Sequence, residues 1–349
     1  MQELGLAREF EALNISTFIF ILEKKIKSLI EKKISNKITI VYIPCVSLGS
    51  HGVFNCKFLK KYKIDIVHLL GDNQFFVSKV IKFCKFNNIY IYNYIGTIGS
   101  SKNKNIISSF LLKMIKKRNI KLFKKIPTYA KNPTIKSELE KEGVINVKLA
   151  PVALDYREVP YITEDKTSLR KKLDLPLEKH MILFIGRLEH YKKPFDAIHL
   201  MEKLNSNFVL VIIGDGSLLN QLKFNTQDFL KDRIYFTGSI PNKEIHYYLK
   251  TADYFINFNQ DEIFGMAILE AMYHNCTVIA KHAPGPDFII ENGRDGYLVN
   301  SIEEMVDIIT NNKKIGLNVA YEKVCNNFLW KQTVSIFYND ISKFLGGSR

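Results

Sequence analysis

The sequence predicts an α/β protein built from two doubly wound domains. Short apolar runs alternate with longer amphipathic stretches along the chain, which is the pattern of parallel strands joined by helices. The length of 349 residues is long for one hydrophobic core and sufficient for two. Residues 155–168 are polar and interrupted by proline, so they suit a linker between the two domains.

The first predicted domain covers residues 1–154. It opens with an acidic, amphipathic stretch, MQELGLAREFEALN, and continues through short apolar runs typical of strands. These runs are, in order, STFIFIL, ITIVYIP, DIVHLL, IYIYNYI, IPTYA and VKLAPVA. Their alternation with helical patterns predicts a parallel sheet covered by helices.

The second predicted domain covers residues 169–330 and repeats the same alternation. Its strand candidates are HMILFIGR, NFVLVIIGDG, DRIYFTG, YFINFN, CTVIA and GYLV. Ligands of such sheets bind outside the carboxyl ends of the strands. We therefore expect the functional residues where these runs end.

Composition favours a soluble protein of the cytoplasm. Hydrophobic residues make up 46% of the chain and charged residues 24%, and no apolar run is long enough to span a bilayer. The amino terminus lacks the basic start and apolar stretch of a secretory signal. The five cysteines show neither zinc nor redox spacing, which indicates buried thiols in a reducing compartment.

The formal net charge of +15 indicates an anionic partner or surface. The segment LLKMIKKRNIKLFKK, residues 111–125, interleaves apolar side chains with a dense run of lysine and arginine. This pattern fits a helix lying on an anionic membrane, at the inner face, and equally fits the solvated basic face of an ordinary packed helix. Nucleic acid is disfavoured as a partner because the aromatic residues lie inside strand patterns and do not interleave with the basic run.

Two glutamates in the stretch NQDEIFGMAILEAMYHNCTVIA, Glu262 and Glu270, are the first candidate site residues. Glu270 lies among small and apolar residues, and a buried carboxylate without a partner is very costly. It could accept hydrogen bonds from sugar hydroxyls such as those of ribose, or it could pair with a buried lysine. Before Glu270, a predicted helix begins at about Gly265. The backbone N–H groups of Phe264, Gly265 and Met266 at its start could bind a phosphate.

Basic residues follow the first strand of the second domain. The run HMILFIGR ends in Gly186 and Arg187, and Lys192 and Lys193 come five and six positions after Arg187. An arginine fork and a lysine ammonium on one loop would together hold a diphosphate. An isolated arginine after a strand is more often part of a surface salt bridge.

Two further strands end in glycine turns. The GDG of VIIGDGSL resembles part of a dinucleotide fingerprint but lacks its spacing. In FTGSI the backbone of Ser239 and Ile240 could hydrogen-bond the edge of a nucleobase. As isolated turns, both are more often structural than functional.

In this order the motifs resemble the retaining GT-B glycosyltransferases of family four, the group 1 glycosyl transferases. The resemblance rests on GRLxxxK, GDG, FxGxI, the two glutamates eight residues apart in EIFGMAILEAM, and then TVIA, APGPDFI and NGRDGYLV. It covers residues 125–340, and more weakly residues 1–124. It implies two Rossmann-like domains facing a central cleft, with a closing helix at about residues 331–346 that crosses back onto the first domain.

The resemblance implies a donor phosphate site in the second domain. Arg187 and Lys192 would hold the donor diphosphate and support catalysis, with Lys193 as the alternate lysine and Gly186 beside them. The backbone at residues 264–266 would contact phosphate or sugar.

The resemblance also implies roles for the acidic residues and the base-binding turn. Glu270 would bind the ribose hydroxyls, and Ser239 and Ile240 would line the base. Glu262 would contact the donor sugar and stabilise the positive charge that develops at the anomeric carbon.

Such enzymes retain the anomeric configuration by front-face attack, in which the leaving diphosphate takes the proton of the acceptor hydroxyl. The protein then contributes positioning and charge stabilisation. The resemblance implies no cofactor and no metal, with the nucleotide sugar as substrate. The sequence has neither an Asp-x-Asp motif nor a histidine cluster with ligand spacing.

The sequence departs from this family in the first domain. ELGLAREFEALN resembles the family's first helix and STFIFIL its second strand, so we expect the opening strand and its glycine-rich loop to be absent, unless another segment takes their place. Tyr94 and Ile95 stand where many relatives carry a histidine for the donor sugar. Gly96, Thr97 and Gly99 keep a tight loop there, and Asn73 is a candidate substitute.

We therefore expect a membrane-associated glycosyltransferase that moves a sugar from a nucleotide donor, UDP in preference to GDP, to a lipid-linked or glycan acceptor. Surface polysaccharide assembly is the natural setting. The alternative is a subunit that binds the nucleotide sugar and transfers only with a partner glycosyltransferase, which the absent first strand favours.

Overall fold

The computed structural model describes residues 2–48, 51–71, 74–98 and 106–346. The chain divides into two compact units, one of Met1–Val152 with Trp330–Arg349 and the other of Ala153–Leu329. We call them unit 1 and unit 2. Asn73 and Gly99, which the sequence suggested for the first domain, lie outside the described residues.

Helices and strands are numbered along the chain. The helices are α1 (Gln2–Ala12), α2 (Phe58–Lys61), α3 (Val77–Phe86), α4 (Ile106–Phe123), α5 (Pro133–Lys141), α6 (Lys166–Lys172), α7 (Pro194–Lys203), α8 (Leu219–Asn225), α9 (Asn242–Thr251), α10 (Met266–Tyr273), α11 (Pro286–Ile289), α12 (Ile302–Thr310), α13 (Val319–Asn327) and α14 (Trp330–Gly346). The strands are β1 (Thr17–Glu23), β2 (Ile30–Lys33), β3 (Ile38–Pro44), β4 (Val46–Leu48), β5 (His51–Val53), β6 (Ile66–Leu70), β7 (Tyr90–Ile95), β8 (Thr128–Ala130), β9 (Lys148–Leu149), β10 (His180–Ile185), β11 (Phe208–Ile213), β12 (Ile234–Gly238), β13 (Tyr254–Asn257), β14 (Thr277–Lys281) and β15 (Tyr297–Val299).

Every run predicted as a strand forms one, so the prediction of alternating strands and helices is confirmed. Strands β2, β4 and β5 had no signal in the sequence. Strand β2 pairs antiparallel with β3, and all four of its residues are exposed. A strand that is exposed on both faces and ends in two lysines shows no apolar alternation, which is common at the edge of a sheet.

The sheet of unit 1 is divided into two parts. One part has the order β1-β3-β2, and the other has the order β6-β7-β8-β9. The pairs β1–β3, β6–β7, β7–β8 and β8–β9 are all parallel. Both parts contribute to one hydrophobic cluster, since Val41 and Ile43 of β3 pack in the same cluster as Leu69 of β6 and Ile91 of β7.

Helix α14 belongs to unit 1 and packs on the second part of its sheet. The ring of Phe337 lies 4.8 Å from that of Tyr129 on β8, measured between centroids. Asp340 accepts a hydrogen bond from Tyr129 and forms a 2.6 Å ion pair with Lys148 on β9. The last helix of the chain therefore covers the sheet of the unit formed by the amino-terminal half.

Helix α4 contains most of the basic segment 111–125, and its apolar residues are divided between core and surface. Four of them are buried: Leu112, Ile115, Ile120 and Phe123. These side chains pack into the unit and cannot face a membrane. Leu111 and Met114 remain exposed, together with Phe110 just before them. Of the two alternatives left open by the sequence, the packed helix therefore accounts for these four residues, and the exposed apolar side chains described in this segment lie near its start.

Unit 2 contains one parallel sheet with the order β12-β11-β10-β13-β14-β15. All six residues of β11 and all four of β13 are buried, which explains their continuously apolar sequences. The chain starts in the middle of this sheet at β10, builds outward to β12, and then returns to the other side of β10 with β13. Strands β10 and β13 are therefore neighbours at the point where the strand order reverses, the usual place for a ligand.

Candidate functional site

The loops that leave β10 and β13 meet through an ion pair. Lys192 Nζ lies 2.6 Å from Glu262 Oε2, and both side chains are half-buried. Asn259 Nδ2 donates a hydrogen bond of 3.1 Å to the same carboxylate oxygen. Two of the three residues predicted as catalytic are thus brought together at the reversal point of the sheet, although they are 70 positions apart in sequence.

Backbone geometry separates the two adjacent lysines of the β10 loop. Residues His190–Lys192 form one turn of 3₁₀ helix, and Lys193 then adopts the left-handed conformation with φ 52° before Pro194 opens α7. Lys193 Nζ donates to Gln260 Oε1, on the loop after β13. Lys192 contacts the predicted catalytic glutamate and Lys193 contacts an amide, so the structure distinguishes the two lysines that the sequence left as alternatives.

Arg187, the third residue predicted as catalytic, is exposed directly after β10. Its guanidinium lies 5.4 Å from the ring centre of Tyr191, and Lys192 Nζ lies 5.6 Å from the same ring. The π face of an aromatic ring attracts cations at such distances, so Tyr191 helps to hold both side chains near the end of β10. Gly186, which precedes Arg187, donates its N–H to Ile213 O and closes the strand end.

The GDG turn after β11 supports the β10 loop. Gly214 needs to be glycine because a Cβ there would lie 1.9 Å from Gly186 O. Ser217 donates to Glu189 from both its N–H and its hydroxyl, at 3.0 and 2.7 Å. These hydrogen bonds, with the charge of Arg187, hold the pKa of the Glu189 carboxyl below its usual range. The turn has a structural role here, as its weak match to a nucleotide fingerprint indicated.

Helix α10 begins with unpaired backbone donors. Gly265 is its N-cap, in the left-handed region at φ 96°, where glycine has no steric penalty. Among the described residues, no acceptor is bonded to the N–H of Phe264, Gly265 or Met266. Gly285 packs against this loop so closely that a Cβ would lie 2.3 Å from Phe264 O. The result is a fixed helix start with its N–H groups available to an anion.

Glu270 lies one turn into α10, where its side chain is half-buried. Within the described part of the chain, its carboxylate forms no hydrogen bond and no ion pair, so the alternative that it pairs with a buried lysine is wrong. Burial alone raises the pKa of Glu270 to about 7. A carboxylate in such a place is costly for the folded protein and is ready to accept hydrogen bonds from a ligand.

Ser239 and Ile240 follow β12, at one edge of the sheet. Ser239 is exposed and Ile240 is half-buried. Strand β12 lies two positions from β10, so with about 4.8 Å between strands these residues are about 10 Å from the end of β10. The loops after β12, β10 and β13 thus lie in one row along the carboxyl edge, with the predicted base, phosphate and sugar contacts in that order.

Sequence reasoning missed three side chains of this site: Tyr191, Asn259 and Gln260. The polar pair directly after β13 was a usable signal, since side chains at strand ends are where a parallel sheet binds its ligands. Tyr191 had no such signal, because its position between two cations depends on the path of the loop.

The resemblance to the family implied a histidine in unit 1 where this chain has Tyr94 and Ile95. Tyr94 and Ile95, at the end of β7, are both buried. Lys131 Nζ lies 4.8 Å from the ring centre of Tyr94. Both side chains are therefore part of the packing of unit 1.

The part of the chain that the structure describes has neither a group of metal ligands nor a membrane-spanning helix. No three or more His, Cys, Asp and Glu side chains are grouped as metal ligands in the described ranges. None of the helices described is both long and apolar enough to cross a bilayer. The expectation that no metal is required stays a prediction.

Residues of unit 2 and much of the whole chain are similar to known glycosyltransferases. Residues 165–313 match the family model described as Glycosyl transferases group 1. An uncharacterized glycosyltransferase of Methanocaldococcus jannaschii is 26% identical over 311 residues, covering 81% of this chain and 78% of that protein. The UDP-Gal:alpha-D-GlcNAc-diphosphoundecaprenol alpha-1,3-galactosyltransferase of Escherichia coli is 31% identical over 176 residues, which are 46% of this chain and 42% of that enzyme.

A solved structure extends the likeness to the whole fold. Sucrose-phosphate synthase from Thermosynechococcus elongatus superposes with a TM-score of 0.76 at 16% identity, over 99% of this chain and 92% of that one. The chain therefore has the GT-B fold, and its residues 165–313, within unit 2, match the group 1 glycosyl transferases.

Proposed function

We propose that this glycosyltransferase moves a hexose from a uridine diphosphate sugar to a lipid-linked acceptor, with retention of the anomeric configuration. The observation that carries the proposal is the unpartnered carboxylate of Glu270 behind the free N–H groups of α10, next to the pair of Lys192 and Glu262. A nucleoside diphosphate sugar offers ribose hydroxyls to Glu270 and phosphate oxygens to the N–H groups of α10. It offers its sugar ring to the pair of Lys192 and Glu262.

The diphosphate would bind on the loop after β10. Arg187 donates in fork geometry, Lys192 and Lys193 add point charges, and the N–H groups at residues 264–266 add the positive end of a helix. Lys192 has three N–H donors and uses one of them on Glu262, so it can contact a phosphate without breaking the pair. The positive groups then stabilise the charge that develops on the leaving diphosphate.

Glu262 would act on the sugar. Its carboxylate is fixed by Lys192 and by the amide of Asn259, so it has one position in which to meet an incoming ring. There it accepts sugar hydroxyls and stabilises positive charge at the anomeric carbon. The acceptor hydroxyl gives its proton to the leaving diphosphate, and the protein contributes orientation and charge.

Glu270 would bind the ribose. Two vicinal hydroxyls can donate to the two oxygens of one carboxylate, and the bound form gains the hydrogen bonds that the free form lacks. The hydrogen bonds gained on binding favour the nucleotide complex because the Glu270 carboxylate of the free protein is held in an unfavourable environment.

The lipid-linked acceptor is supported by one relative and by α4. The name of the Escherichia coli relative gives a UDP-galactose donor and a diphosphoundecaprenol acceptor. Leu111 and Met114 on α4 expose apolar surface beside exposed Lys113 and Lys117. Apolar side chains beside lysines suit the interface of an anionic bilayer, where such an acceptor resides.

Nucleotide binding is the first test. Calorimetric titration of the full chain with UDP and GDP should show binding of UDP and weaker binding of GDP. Arg187→Ala should weaken UDP binding by about 10-fold or more, the loss of a charged hydrogen bond. Lys171→Ala, which removes a positive charge from exposed α6, is the matched control and should bind as the wild type. Equal affinity of Arg187→Ala and the wild type would contradict the phosphate assignment.

Membrane binding is tested with vesicles. The chain should sediment with phosphatidylglycerol vesicles and not with phosphatidylcholine vesicles, and high salt should release it. Leu111→Ser should weaken this binding, whereas Phe224→Ser, at an even more exposed apolar position on α8, should not. If both variants bind as the wild type, α4 is not the membrane surface.

The divided sheet of unit 1 favours a second candidate, a subunit that binds the nucleotide sugar and transfers only with a partner. A turnover assay separates the two. Release of UDP from a UDP-hexose by the purified chain supports the enzyme, and tight binding without turnover until a partner glycosyltransferase is added supports the subunit.

A further inference from the structure

Unit 2 contains a cavity of about 460 Å³ away from the residues predicted to bind the nucleotide. Its walls are the ends of α9 and α10, the start of α13 and part of the linker, within residues 156–162. Helices α9 and α10 lead into the amino ends of β13 and β14, whereas Lys192 and Glu262 follow the carboxyl ends of β10 and β13. The cavity therefore lies at the opposite edge of the sheet.

Four tyrosine rings line this cavity: Tyr156, Tyr161, Tyr273 and Tyr321. The centroids of the Tyr273 and Tyr321 rings lie 5.1 Å apart, and the two ring planes meet at 56°. Tyr161 is 93% exposed and Tyr156 is 47% exposed, so both rings are open to a ligand. The face of an aromatic ring attracts the polarised C–H groups of a sugar, and the phenol group can hydrogen-bond the sugar hydroxyls. The tyrosines thus suit a ring that is apolar on its faces and polar at its rim.

Two side-chain amides are fixed on the wall where α10 ends and α13 begins. Asn275 Nδ2 donates to Asn318 Oδ1 at 3.1 Å, and the N–H of Asn318 donates to Asn275 Oδ1 at 3.1 Å. Both residues have a left-handed backbone, with φ of 58° and 66°. In the described part of the chain no acceptor is bonded to Asn318 Nδ2, and Asn275 Nδ2 keeps a second N–H. The amides therefore present fixed donors to hydroxyl or carboxylate oxygens.

The wall formed by the end of α9 is positive. Lys250 is exposed there, and its ammonium forms no hydrogen bond or ion pair with the residues that the structure describes. His274, beside it, is neutral because its pKa is lowered to about 3, chiefly by burial, and its Nε2 contacts His246 Nδ1 at 2.9 Å. The described residues that line the cavity include no Asp or Glu. Lys250 thus supplies one positive charge that no acid on the walls balances.

We propose that this cavity binds an acidic sugar, whose ring carries a carboxylate. The carboxylate pairs with Lys250, the ring lies against the tyrosines, and the amides of Asn275 and Asn318 donate to its oxygens. One lysine balances the single charge of a carboxylate, whereas a phosphate monoester carries nearly two. The cavity has the size of a small-molecule site, for which the range is about 300–1,000 Å³. Such a site holds an acidic glycan on unit 2 without occupying the nucleotide site, and it does not depend on sugar transfer.

The test titrates the full chain with three small probes and detects binding by saturation-transfer difference NMR. Glucuronate has the ring and the carboxylate, glucose has the ring alone, and acetate has the carboxylate alone. UDP is kept in excess so that the sugars do not bind at the nucleotide site. Lys250→Gln removes the charge and Tyr161→Ser removes a ring, and both variants should keep the fold because both positions are exposed. The matched controls are Lys171→Gln, at an exposed position of α6, and Phe224→Ser on α8.

Glucuronate should bind about three- to tenfold more tightly than glucose, and acetate should bind more weakly than glucuronate. Lys250→Gln should lower the affinity for glucuronate to that for glucose. Tyr161→Ser should weaken the binding of both sugars by about two- to fivefold. The two control variants should bind all three probes as the wild type does.

Equal affinity for glucuronate and glucose would overturn the proposal, and acetate that binds as tightly as glucuronate would mean an anion site that does not need the ring. Unchanged binding of glucuronate by Lys250→Gln would also overturn it, because the sugar would then bind elsewhere. A chain that does not bind UDP but shows the expected differences between probes and variants would contradict the proposed function and leave this site supported.

Discussion

Replacing Glu270 by glutamine should stabilise the free protein and weaken its binding of nucleotide. Burial raises the pKa of Glu270 to about 7 from an ordinary value of 4.5. Glutamine has the same shape without the charge, so the variant keeps the packing of α10 and removes the cost of burying a carboxylate.

The size of the effect follows from the pKa. The unfolded chain loses the Glu270 proton near pH 4.5, while the folded chain keeps it until about pH 7, so the carboxyl lowers stability progressively as the pH rises between these values. Below pH 4.5 both states are protonated and the cost is absent. Above pH 7 the difference of about 2.5 pKa units corresponds to about 3 kcal/mol. Glu270→Gln should therefore gain about 3 kcal/mol at pH 8 and less than about 1 kcal/mol at pH 5.

Thermal unfolding at the two pH values measures this gain. In a unit of this size, about 3 kcal/mol raises the melting temperature by roughly 6–12 °C. Glu178→Gln is the matched control, because Glu178 is exposed and lies just before β10, at the opposite edge of the same sheet. The control should change stability by less than about 0.5 kcal/mol at either pH.

Nucleotide should narrow the difference in stability between the variant and the wild type. Saturation at 100 times the dissociation constant adds about 2.7 kcal/mol to the wild type, and Glu270→Gln should bind UDP about 10- to 100-fold more weakly and gain correspondingly less. A variant that is no more stable than the wild type at pH 8 would refute the reasoning about burial. A variant that is stabilised but binds UDP with unchanged affinity would refute the ribose assignment alone.

Three further perturbations test the site and its surroundings. Lys192→Ala should leave Glu262 without its ion-pair partner and lower turnover by about 100-fold in a UDP-release assay. A loss of turnover under about threefold would contradict the role of Lys192 at the phosphates. Gly285→Ala should place a methyl group against Phe264 O, which should lower the free energy of unfolding by about 1–3 kcal/mol and weaken UDP binding. Normal stability with normal UDP binding would mean that the loop moves aside without a cost. Burial chiefly lowers the pKa of His274 to about 3, so this side chain should remove on the order of 1–2 kcal/mol of stability on acidification from pH 7 to pH 5, as the unfolded chain takes up protons. Since Glu270 contributes in the opposite direction over this range, the slope is compared in the Glu270→Gln background. Adding His274→Asn there should reduce the loss, and an unchanged slope in urea titrations would contradict the prediction.

Much of the fold could be predicted because parallel strands in an α/β sheet are recognisable locally. The run FVLVII of β11 is apolar at every position since both faces of that strand are covered. The exposed strand β2 has no such pattern and was not predicted. The basic segment of α4 shows the limit of such patterns, because apolar residues among lysines look alike whether they face a core or a membrane.

The sequence predicted which residues belong to the candidate site, but not which of them contact one another. Glu262, Glu270 and Arg187 were found because each follows a strand or interrupts an apolar helix. The structure added that Lys192, and not Lys193, contacts Glu262, since the left-handed turn at Lys193 directs the two side chains differently. It also added Tyr191 and Asn259, whose contacts cross between loops.

The sequence by itself determined the order of strands and helices and the presence of an acid in an apolar helix, since local chemistry and spacing are enough for both. Only the tertiary structure decided that this acid has no partner within the described residues, and that Tyr161 and Lys250 line one cavity. Both facts depend on which groups meet in space after the chain has folded. Hydrogen bonds and strand pairing act over a few ångströms, and neighbours at that distance are often far apart along the chain.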